Sequence, residues 1–326
     1  MVDLTTDYLG LKLKNPIIVG SSGLTRSLEG IARCAEAGAG AVVLKSLFEE
    51  QFKLNDRSEG TGLYPEIMDY FQSGALLDYA PRKVVEIIKE AKKQFDLPVI
   101  ASINCQSQRH WIRFAQQLED AGGDALELNI YTLPIDPDKS GEEYERSYLD
   151  IVESVRKATN LPLAVKIFHQ ITALPNFVRR LSEAGAQAVV LFNWFLEPDF
   201  DLRTMSSLQQ KGQANFHLVL RWICLLAQRV GCQLVASGGV RSGRDIVKLI
   251  LAGASAVQVC TLFYQRGLGV IKDLLEETTA WFNEHGFKNL SECQGKLSFK
   301  EEALRVKGSG KAEVFLRSQY IRLYTD

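Results

Sequence analysis

Short apolar runs recur along the chain, each after a segment with helical periodicity. Four of them share one phrase, in which a glycine precedes the run: EAGAGAVVL (36–44), DAGGDALEL (120–128), EAGAQAVVL (183–191) and LAGASAVQV (251–259). A glycine in this place suits the left-handed backbone that often ends a helix. Near-continuous apolar runs of this length predict strands covered on both faces, as in a parallel sheet.

Four further runs complete a set of eight: NPIIVG (15–20), DLPVIAS (96–102), NLPLAVK (160–166) and GCQLVAS (231–237). Amphipathic segments lie between the runs, at 81–94, 107–121, 143–159, 172–184, 217–230 and 242–252. Eight alternating units predict an α/β fold, a (β/α)8 TIM barrel formed by residues 1–326 as a single domain. A doubly wound open sheet is the alternative, but it usually has fewer strands and a GxGxxG turn, which the first run lacks.

Four segments are additional to a minimal (β/α)8 barrel. Residues 3–14 predict an N-terminal hairpin before the first strand. Residues 47–80 and 194–216 are long loops after strands two and six, on the face where barrel enzymes place their active sites. Residues 286–326 form a C-terminal extension, which we expect to pack against the barrel or against a dimer partner.

Charge and hydropathy narrow the function classes. The formal net charge is -1, so no overall basic field points to nucleic acid. The N-terminal stretch MVDLTTDYLG has neither the basic nor the apolar region of a signal peptide. No apolar run approaches the ~18 residues of a membrane helix. We therefore expect a cytoplasmic protein that acts on a small-molecule substrate without membrane contact.

The cysteines and histidines indicate no metal site. The six cysteines form no CxxC pair, and several lie in apolar segments, so we interpret them as reduced, mostly buried thiols. They lack the close spacing of iron–sulfur ligands. The four histidines are scattered and show no metal-binding spacing.

Polar residues that close the apolar runs are the candidates for function, because active sites of such barrels form at the carboxyl ends of the strands. A lysine there is costly to desolvate without an anionic partner, and an asparagine offers both a donor and an acceptor to the edge of a heterocycle. The residues are Ser21, Ser22, Lys45, Ser46, Ser102, Asn104, Asn129, Lys166, Asn193, Ser237 and Thr261.

The last two units predict a phosphate site. ASGGVRSGRD (236–245) places Gly238 and Gly239 between strand seven and a helix, and VQVCTLF (257–263) ends strand eight at Cys260 and Thr261. Loops after these two strands bind phosphate in many barrel enzymes, and glycines let backbone N–H groups approach the anion. A phosphate beside heterocycle-binding groups favours FMN, with a lysine that stabilises the charge developing on the reduced flavin.

Several motifs together resemble the dihydroorotate dehydrogenases, in particular the soluble class 1 branch and its dihydroorotate-dehydrogenase-like relatives. They span about residues 3–285 and read KNPIIVGSSGLT, VVLKS, ALELN, LAVKI, VVLFN, ASGGV followed by SGRD, and GASAVQVCT. The resemblance implies an FMN enzyme that oxidises dihydroorotate to orotate in pyrimidine biosynthesis. A base takes one proton, and hydride passes to the flavin.

The resemblance also implies roles for single residues. Lys45 would lie at the edge shared by flavin and substrate, Lys166 would reach the pyrimidine end of the flavin, and Asn193 would bind substrate. Asn104 and Asn129 would contact flavin or substrate, while Ser21, Ser22 and Gly23 would line the flavin. Gly238, Gly239 and Thr261 would hold the phosphate, and Ser46, Ser237 and Cys260 complete the predicted cofactor site.

The substrate half of the family pattern differs. The family motif Asn-x-Ser-Cys-Pro-Asn, whose cysteine is the base, corresponds here to Asn129-Ile130-Tyr131-Thr132-Leu133-Pro134. Thr132 occupies the base position, and Pro134 replaces the second asparagine. GLYPE (62–66) is nearest to the family's Gly-x-Pro-Asn element, with Glu66 in place of asparagine. A threonine is a poor base unless a neighbour activates it, and Tyr131 is the other candidate.

Three functions follow as hypotheses. The first is an FMN-dependent dihydroorotate dehydrogenase with an altered base; the second is an FMN oxidoreductase acting on another small, unsaturated substrate. The third is a barrel that has lost its activity and serves as a binding protein. Fumarate, a quinone or an NAD-linked electron-transfer partner subunit would accept the electrons. By analogy with class 1 relatives we expect a homodimer.

Overall fold

Eight parallel strands form a closed barrel in the computed structural model, which describes residues 2–49, 81–194, 197–210 and 214–300. The first of them (Ile17–Val19) pairs with the second (Ala41–Val43) on one side and with the last (Ala256–Val259) on the other, and this pairing closes the ring. The strands are β3 (Ile17–Val19), β4 (Ala41–Val43), β6 (Val99–Asn104), β7 (Ala125–Asn129), β8 (Leu163–Ile167), β9 (Ala188–Leu191), β12 (Gln233–Ser237) and β13 (Ala256–Val259).

Helices connect the strands and cover the outside of the barrel. The predicted (β/α)8 TIM barrel is therefore confirmed, with each of the eight apolar runs as a barrel strand. The helices are α1 (Leu28–Glu36), α2 (Pro81–Gln94), α3 (Gln108–Asp120), α4 (Gly141–Ala158), α5 (Leu174–Glu183), α6 (Phe216–Leu226), α7 (Gly243–Ala252), α8 (Thr261–Arg266) and α9 (Val270–Glu284).

The glycines of the repeated phrase end helices as predicted. Gly38, Gly122, Gly185 and Gly253 have φ values of 90°, 85°, 112° and 119°, in the left-handed region that favours glycine. At the other end of α7, Ser242 and Asp245 form a reciprocal capping box. Local sequence signals thus fix where these helices begin and end.

Three small antiparallel or edge elements accompany the barrel. The predicted N-terminal hairpin is β1 (Thr6–Tyr8) with β2 (Leu11–Leu13). A short strand β5 (Leu47–Phe48) pairs in parallel with the last residues of β6, and the loop after β9 contains a hairpin of β10 (Glu197–Asp201) and β11 (Ser206–Gln210). The rest of the predicted long loop at 47–80 lies largely outside the described residues, since 50–80 are not described.

The N-terminal hairpin closes the amino end of the barrel. Tyr8, Leu9 and Leu13 are buried and pack against inward-facing side chains such as Ile18 and Ile100. The inner residues in this layer are small or branched apolar side chains, and the outward-facing residues of the same strands belong to the larger cluster beneath the helices. This floor leaves the carboxyl end as the open mouth.

The described part of the C-terminal extension packs on the barrel's helices. Gly295 N–H donates to Ile250 O, Leu297 N–H donates to Leu251 O and Phe299 N–H donates to Cys224 O, at 2.8–2.9 Å. The extension up to residue 300 therefore packs against α6 and α7, as one of the two expectations stated. Within the described ranges, no helix is long and apolar enough to cross a membrane.

Candidate functional site

Strand alternation places polar side chains inside the upper half of the barrel. On β7, Leu126 and Leu128 pack outward beneath the helices, whereas Ala125 belongs to the inner floor. Because side chains alternate along a strand, Glu127 and Asn129 share the inner face with Ala125. The same rule turns Lys166 inward above Ala164 on β8. The polar layer therefore stands directly above the apolar floor.

Three inward side chains, one each from β7, β8 and β13, form a series of hydrogen bonds across the barrel. Lys166 Nζ donates to Gln258 Oε1 at 2.9 Å, and Gln258 Nε2 donates to Glu127 Oε2 at 2.5 Å. Glu127 is 0% exposed and Gln258 is 2% exposed. Burial raises the pKa of the Glu127 carboxyl, while the nearby Lys166 charge and the Gln258 hydrogen bond act in the opposite direction. The predicted lysine is thus held from below by two residues that the sequence analysis did not single out.

The two substrate-binding asparagines that the sequence predicts meet at the mouth. Asn193 Nδ2 donates to Asn129 Oδ1 at 2.9 Å, although 64 positions separate the two residues. Trp194 N–H in turn donates to Asn193 Oδ1 at 3.1 Å. The pair brings the ends of β7 and β9 together and fixes both amides in one orientation.

A row of serine hydroxyls lines the opposite side, where β3, β4 and β6 end. Ser21 Oγ and Ser46 Oγ are 3.1 Å apart, and Ser46 Oγ and Ser102 Oγ are 2.8 Å apart. Ser46 N–H also donates to Ser21 Oγ at 2.9 Å. Lys45, next to Ser46, is only 6% exposed. The row ties three strand ends together beside a buried lysine.

The double glycine after β12 adopts a left-handed backbone at both positions. Gly238 and Gly239 have φ values of 116° and 77°. A Cβ on Gly238 would overlap Trp194 Nε1, and one on Gly239 would lie 2.7 Å from Phe216 N. Within the part of the chain that the structure describes, the N–H groups of these two glycines donate no hydrogen bond. Two donors of the kind that hold an anion are therefore present at this corner.

The end of β13 completes this corner. Cys260 lies between β13 and α8, and burial raises the pKa of its thiol, whereas Ser22 and the Lys166 charge act to lower it. Thr261 begins α8 and is exposed. Ser22 accepts a hydrogen bond from Leu24 N–H, and a Cβ on Gly23 would lie 2.8 Å from the Tyr264 hydroxyl.

The loop after Asn129 turns toward solvent. Tyr131 is 42% exposed and Thr132 is also exposed. Thr132 N–H donates to the Tyr148 hydroxyl at 3.2 Å, which anchors the loop to α4. On β6, half-buried Asn104 accepts a hydrogen bond from Glu49 N–H through its backbone oxygen, at 3.1 Å. The GLYPE stretch and Glu66 lie outside the described residues.

Sequence reasoning missed several residues at the mouth. Glu127 and Gln258 could have been found, because each lies two positions before a predicted site residue and so shares its face of the strand. The rings of His169 and Trp194 stack with centroids 5.4 Å apart, and Trp194 Nε1 donates to Ser237 O at 2.9 Å. No local pattern marks that stack, because the two rings follow different strands.

The chain matches one known protein family over most of its length. The sequence model of the dihydroorotate dehydrogenase family matches residues 3–281. The chain belongs to the dihydroorotate dehydrogenase family. Among its relatives, the dihydroorotate dehydrogenase B (NAD(+)) catalytic subunit of Pyrococcus abyssi is 26% identical over 307 residues, which cover 90% of this chain and 98% of that protein. The resemblance stated from the motifs is thus confirmed.

Two further relatives carry the same name. The protein of Thermoplasma volcanium is 26% identical over 316 residues, covering 90% of this chain and 98% of the relative. The protein of Bacillus thuringiensis is 26% identical over 304 residues, covering 90% and 96%. These relatives are dehydrogenases and are named as catalytic subunits, so the family supports an enzyme of the oxidoreductase class for this chain.

Proposed function

We propose that this chain is an FMN-dependent oxidoreductase acting on a CH–CH donor, and that it oxidises dihydroorotate to orotate in pyrimidine biosynthesis. The observation that carries the proposal is the mouth of the barrel. There Lys166, held by Gln258, faces the same opening as the hydrogen-bonded amides of Asn129 and Asn193. A cation and paired amides suit a planar heterocycle that gains negative charge.

The residues present fit FMN by the chemistry of their donors. The N–H groups of Gly238 and Gly239, without acceptors among the described residues, and the Thr261 hydroxyl would hold its phosphate. Lys166 would lie at its pyrimidine end, and the half of the mouth formed by Ser21, Ser22 and Gly23 would line its ring. When bound, FMN supplies the site that accepts a hydride from the substrate.

The chain's own residues would orient the substrate and move its proton. Asn129 and Asn193 would offer amide groups to the substrate's polar edge, and Lys45 would approach from the side of the serine row. Thr132 occupies the position of the base that would take a proton from the substrate, and Tyr131 is the neighbouring alternative. Burial raises the pKa of Tyr148, whose hydroxyl accepts the Thr132 N–H, so this phenol stays protonated and serves as an anchor.

A second candidate function rests on the same mouth. The base and the second asparagine of the family motif are replaced by Thr132 and Pro134, and the His169–Trp194 stack stands beside Asn193. These differences favour an FMN oxidoreductase that acts on another small, unsaturated substrate. The flavin half of the site serves both candidates, so only substrate specificity separates them.

The test is a visible absorption spectrum of the purified chain, followed by anaerobic addition of dihydroorotate. The proposal expects a flavin spectrum that bleaches on addition. A flavin that dithionite bleaches but dihydroorotate does not would support the second candidate. A colourless protein that cannot be reconstituted with FMN would refute both candidate functions. It would support the third hypothesis, a barrel that has lost its activity and serves as a binding protein.

We also propose that the chain works as a homodimer and passes electrons to a partner subunit. The relatives' names support the partner, because each is the catalytic subunit of a dehydrogenase that uses NAD(+). Light scattering at working concentration should give the mass of a dimer, and a monomer would contradict that part. The isolated chain should reduce an artificial dye faster than NAD+.

A further inference from the structure

The hydrogen bonds that link Glu127, Gln258 and Lys166 join three different strands inside the barrel. Glu127 lies on β7, Gln258 on β13 and Lys166 on β8, so barrel closure alone brings them together. Glu127 and Gln258 are fully enclosed, while Lys166 reaches the partly exposed layer above them. This series of hydrogen bonds therefore runs from the apolar floor up to the mouth.

Gln258 transmits orientation along this series of hydrogen bonds. Its Nε2 can only donate and its Oε1 can only accept. With Glu127 as the acceptor below, the amide oxygen faces the Lys166 ammonium at 2.9 Å. The reversed amide would set its NH2 group against the ammonium and its oxygen against the carboxylate. Glu127 and Lys166 thus both favour the amide orientation that joins them.

Side chains that only filled the barrel interior would not need a carboxylate, an amide and an ammonium group. The layer just below consists of apolar side chains such as Ala164, Val190 and Val235. Buried charges are costly to desolvate, and apolar replacements of similar volume are often as stable or more stable. A carboxylate, an amide and an ammonium in series instead give Lys166 a fixed position and a counter-charge.

We propose that Glu127 is a positioning residue: through Gln258 it holds the Lys166 ammonium in place, and its negative charge offsets part of the positive charge that Lys166 presents to a bound flavin. This inference rests on the proposed FMN function. Glu127 itself lies beneath the mouth and touches neither flavin nor substrate. Its effect is carried by the hydrogen bonds to Gln258 and by charge.

Two variants separate the two effects. Glu127→Gln keeps the volume and an acceptor for Gln258 but removes the charge. Oxidised FMN should bind as in the wild type, whereas the affinity for the reduced flavin rises about tenfold, which raises the two-electron reduction potential by ~30 mV. Gln258→Met disconnects Lys166, so oxidised FMN should bind about tenfold more weakly and the potential should fall.

The experiment measures the FMN dissociation constant by fluorescence quenching and the reduction potential against a reference dye. Glu119→Gln is the matched control, because Glu119 accepts hydrogen bonds from Thr159 and Asn160 outside the barrel interior and should change neither quantity. If both variants bind FMN with the wild-type affinity and potential, Glu127 has no positioning role. If wild type itself binds no FMN, the proposed function fails, and this inference fails with it.

If Glu127→Gln does not fold, Gln258→Met decides alone. Unchanged affinity and potential in that variant would overturn the proposal, because Lys166 would then need no acceptor. A weaker complex with a lower potential supports it. Circular dichroism of the apo proteins shows which variants are folded before either flavin measurement is made.

Discussion

At the scale of single residues, Thr132 is the weakest point of the proposed reaction. Its loop is exposed, and its backbone N–H donates to the Tyr148 hydroxyl. Its side chain also hydrogen-bonds with Tyr148, and because burial raises the pKa of that phenol, Tyr148 stays protonated and does not activate Thr132 as a base. An alcohol without such help exchanges protons slowly near neutral pH. Proton removal should therefore limit the rate.

Thr132→Cys should accelerate flavin reduction by dihydroorotate. A thiol on an exposed loop has a pKa near 8.5, and a positioned base contributes on the order of 10²–10⁴-fold. We expect at least about a tenfold higher rate at pH 9 than in the wild type. The rate should rise with pH up to the thiol pKa. Anaerobic stopped-flow absorbance of the flavin measures it.

The controls for this prediction are Leu133→Cys, which puts the thiol one position along the same exposed loop, and Thr132→Ala. Leu133→Cys should not accelerate the reaction, and Thr132→Ala should slow it. Equal rates in wild type, Thr132→Cys and Thr132→Ala would show that position 132 does not handle the proton.

Glu127 makes stability depend on pH in a defined direction. Burial raises the pKa of this carboxyl in the folded state above that of the unfolded chain. The folded protein therefore holds this proton more tightly. The stability associated with it is full below the ordinary glutamate pKa of about 4.3 and is lost as pH rises through the raised folded pKa.

The stability of Glu127→Gln should therefore increase relative to that of the wild type as pH rises. The melting temperature of the variant minus that of the wild type should become more positive between pH 4 and pH 8, because glutamine carries no proton to lose. Glu119→Gln should show the opposite trend at lower pH, where its difference from the wild type becomes more negative as pH rises toward the ordinary glutamate pKa and then stays nearly constant. The hydrogen bond from Thr159 lowers the pKa of Glu119, so the wild-type carboxylate contributes stability that is present above the ordinary glutamate pKa and lost in acid. Parallel trends in both variants would contradict the assigned pKa directions.

At the scale of elements, the turns after helices and strands differ in what surrounds them. Gly122 ends α3 with a φ of 85°, and a Cβ there would meet nothing within 4 Å. Gly238 follows β12 with a φ of 116°, and a Cβ there would overlap Trp194 and lie 2.9 Å from the Ala214 Cβ. At position 122, glycine is needed only because the backbone is left-handed there. At position 238, glycine is also needed for the space beside it.

Gly238→Ala should consequently cost more than Gly122→Ala. The left-handed backbone alone costs about 1–2 kcal/mol for alanine, which is the loss expected for Gly122→Ala in urea unfolding. Displacement of Trp194 adds a further ~1–3 kcal/mol at Gly238. Gly238→Ala should also weaken FMN binding, whereas Gly122→Ala should not. Equal losses of stability would mean that Trp194 moves away freely.

The elements were more predictable from the sequence than their mutual contacts. The repeated phrase carries both the strand and the glycine that ends the helix before it, so the barrel and its strand ends follow from local signals. The contact between Glu127 and Gln258 spans 131 positions and exists only after β7 and β13 join one ring. Trp194 lies beside Gly238 for the same reason. Periodicity gives the face of a strand but not the partner across the barrel.

At the scale of the whole molecule, the closed ring makes the two ends of the chain interdependent. β3, near the N-terminus, pairs with β13, so neither end of the barrel is complete alone. Asp3 and Asn289 form an isolated parallel bridge, and residues 290–299 run across α6 and α7. This connectivity predicts that barrel, hairpin and the described extension unfold as one unit, as a single domain requires.

Phe299→Ala tests whether the described C-terminal extension unfolds together with the barrel. Phe299 is 4% exposed, and the Arg229 guanidinium lies 5.2 Å from its ring centre. Removing a buried phenylalanine costs on the order of 3–5 kcal/mol. If the extension belongs to the cooperative unit, the whole unfolding transition shifts to lower urea and remains single, with circular dichroism and tryptophan fluorescence coinciding. Leu297→Ala is the matched control, because Leu297 is 55% exposed and should shift the midpoint little. A separate early transition in Phe299→Ala, with the main one unmoved, would instead show that the extension unfolds independently of the barrel.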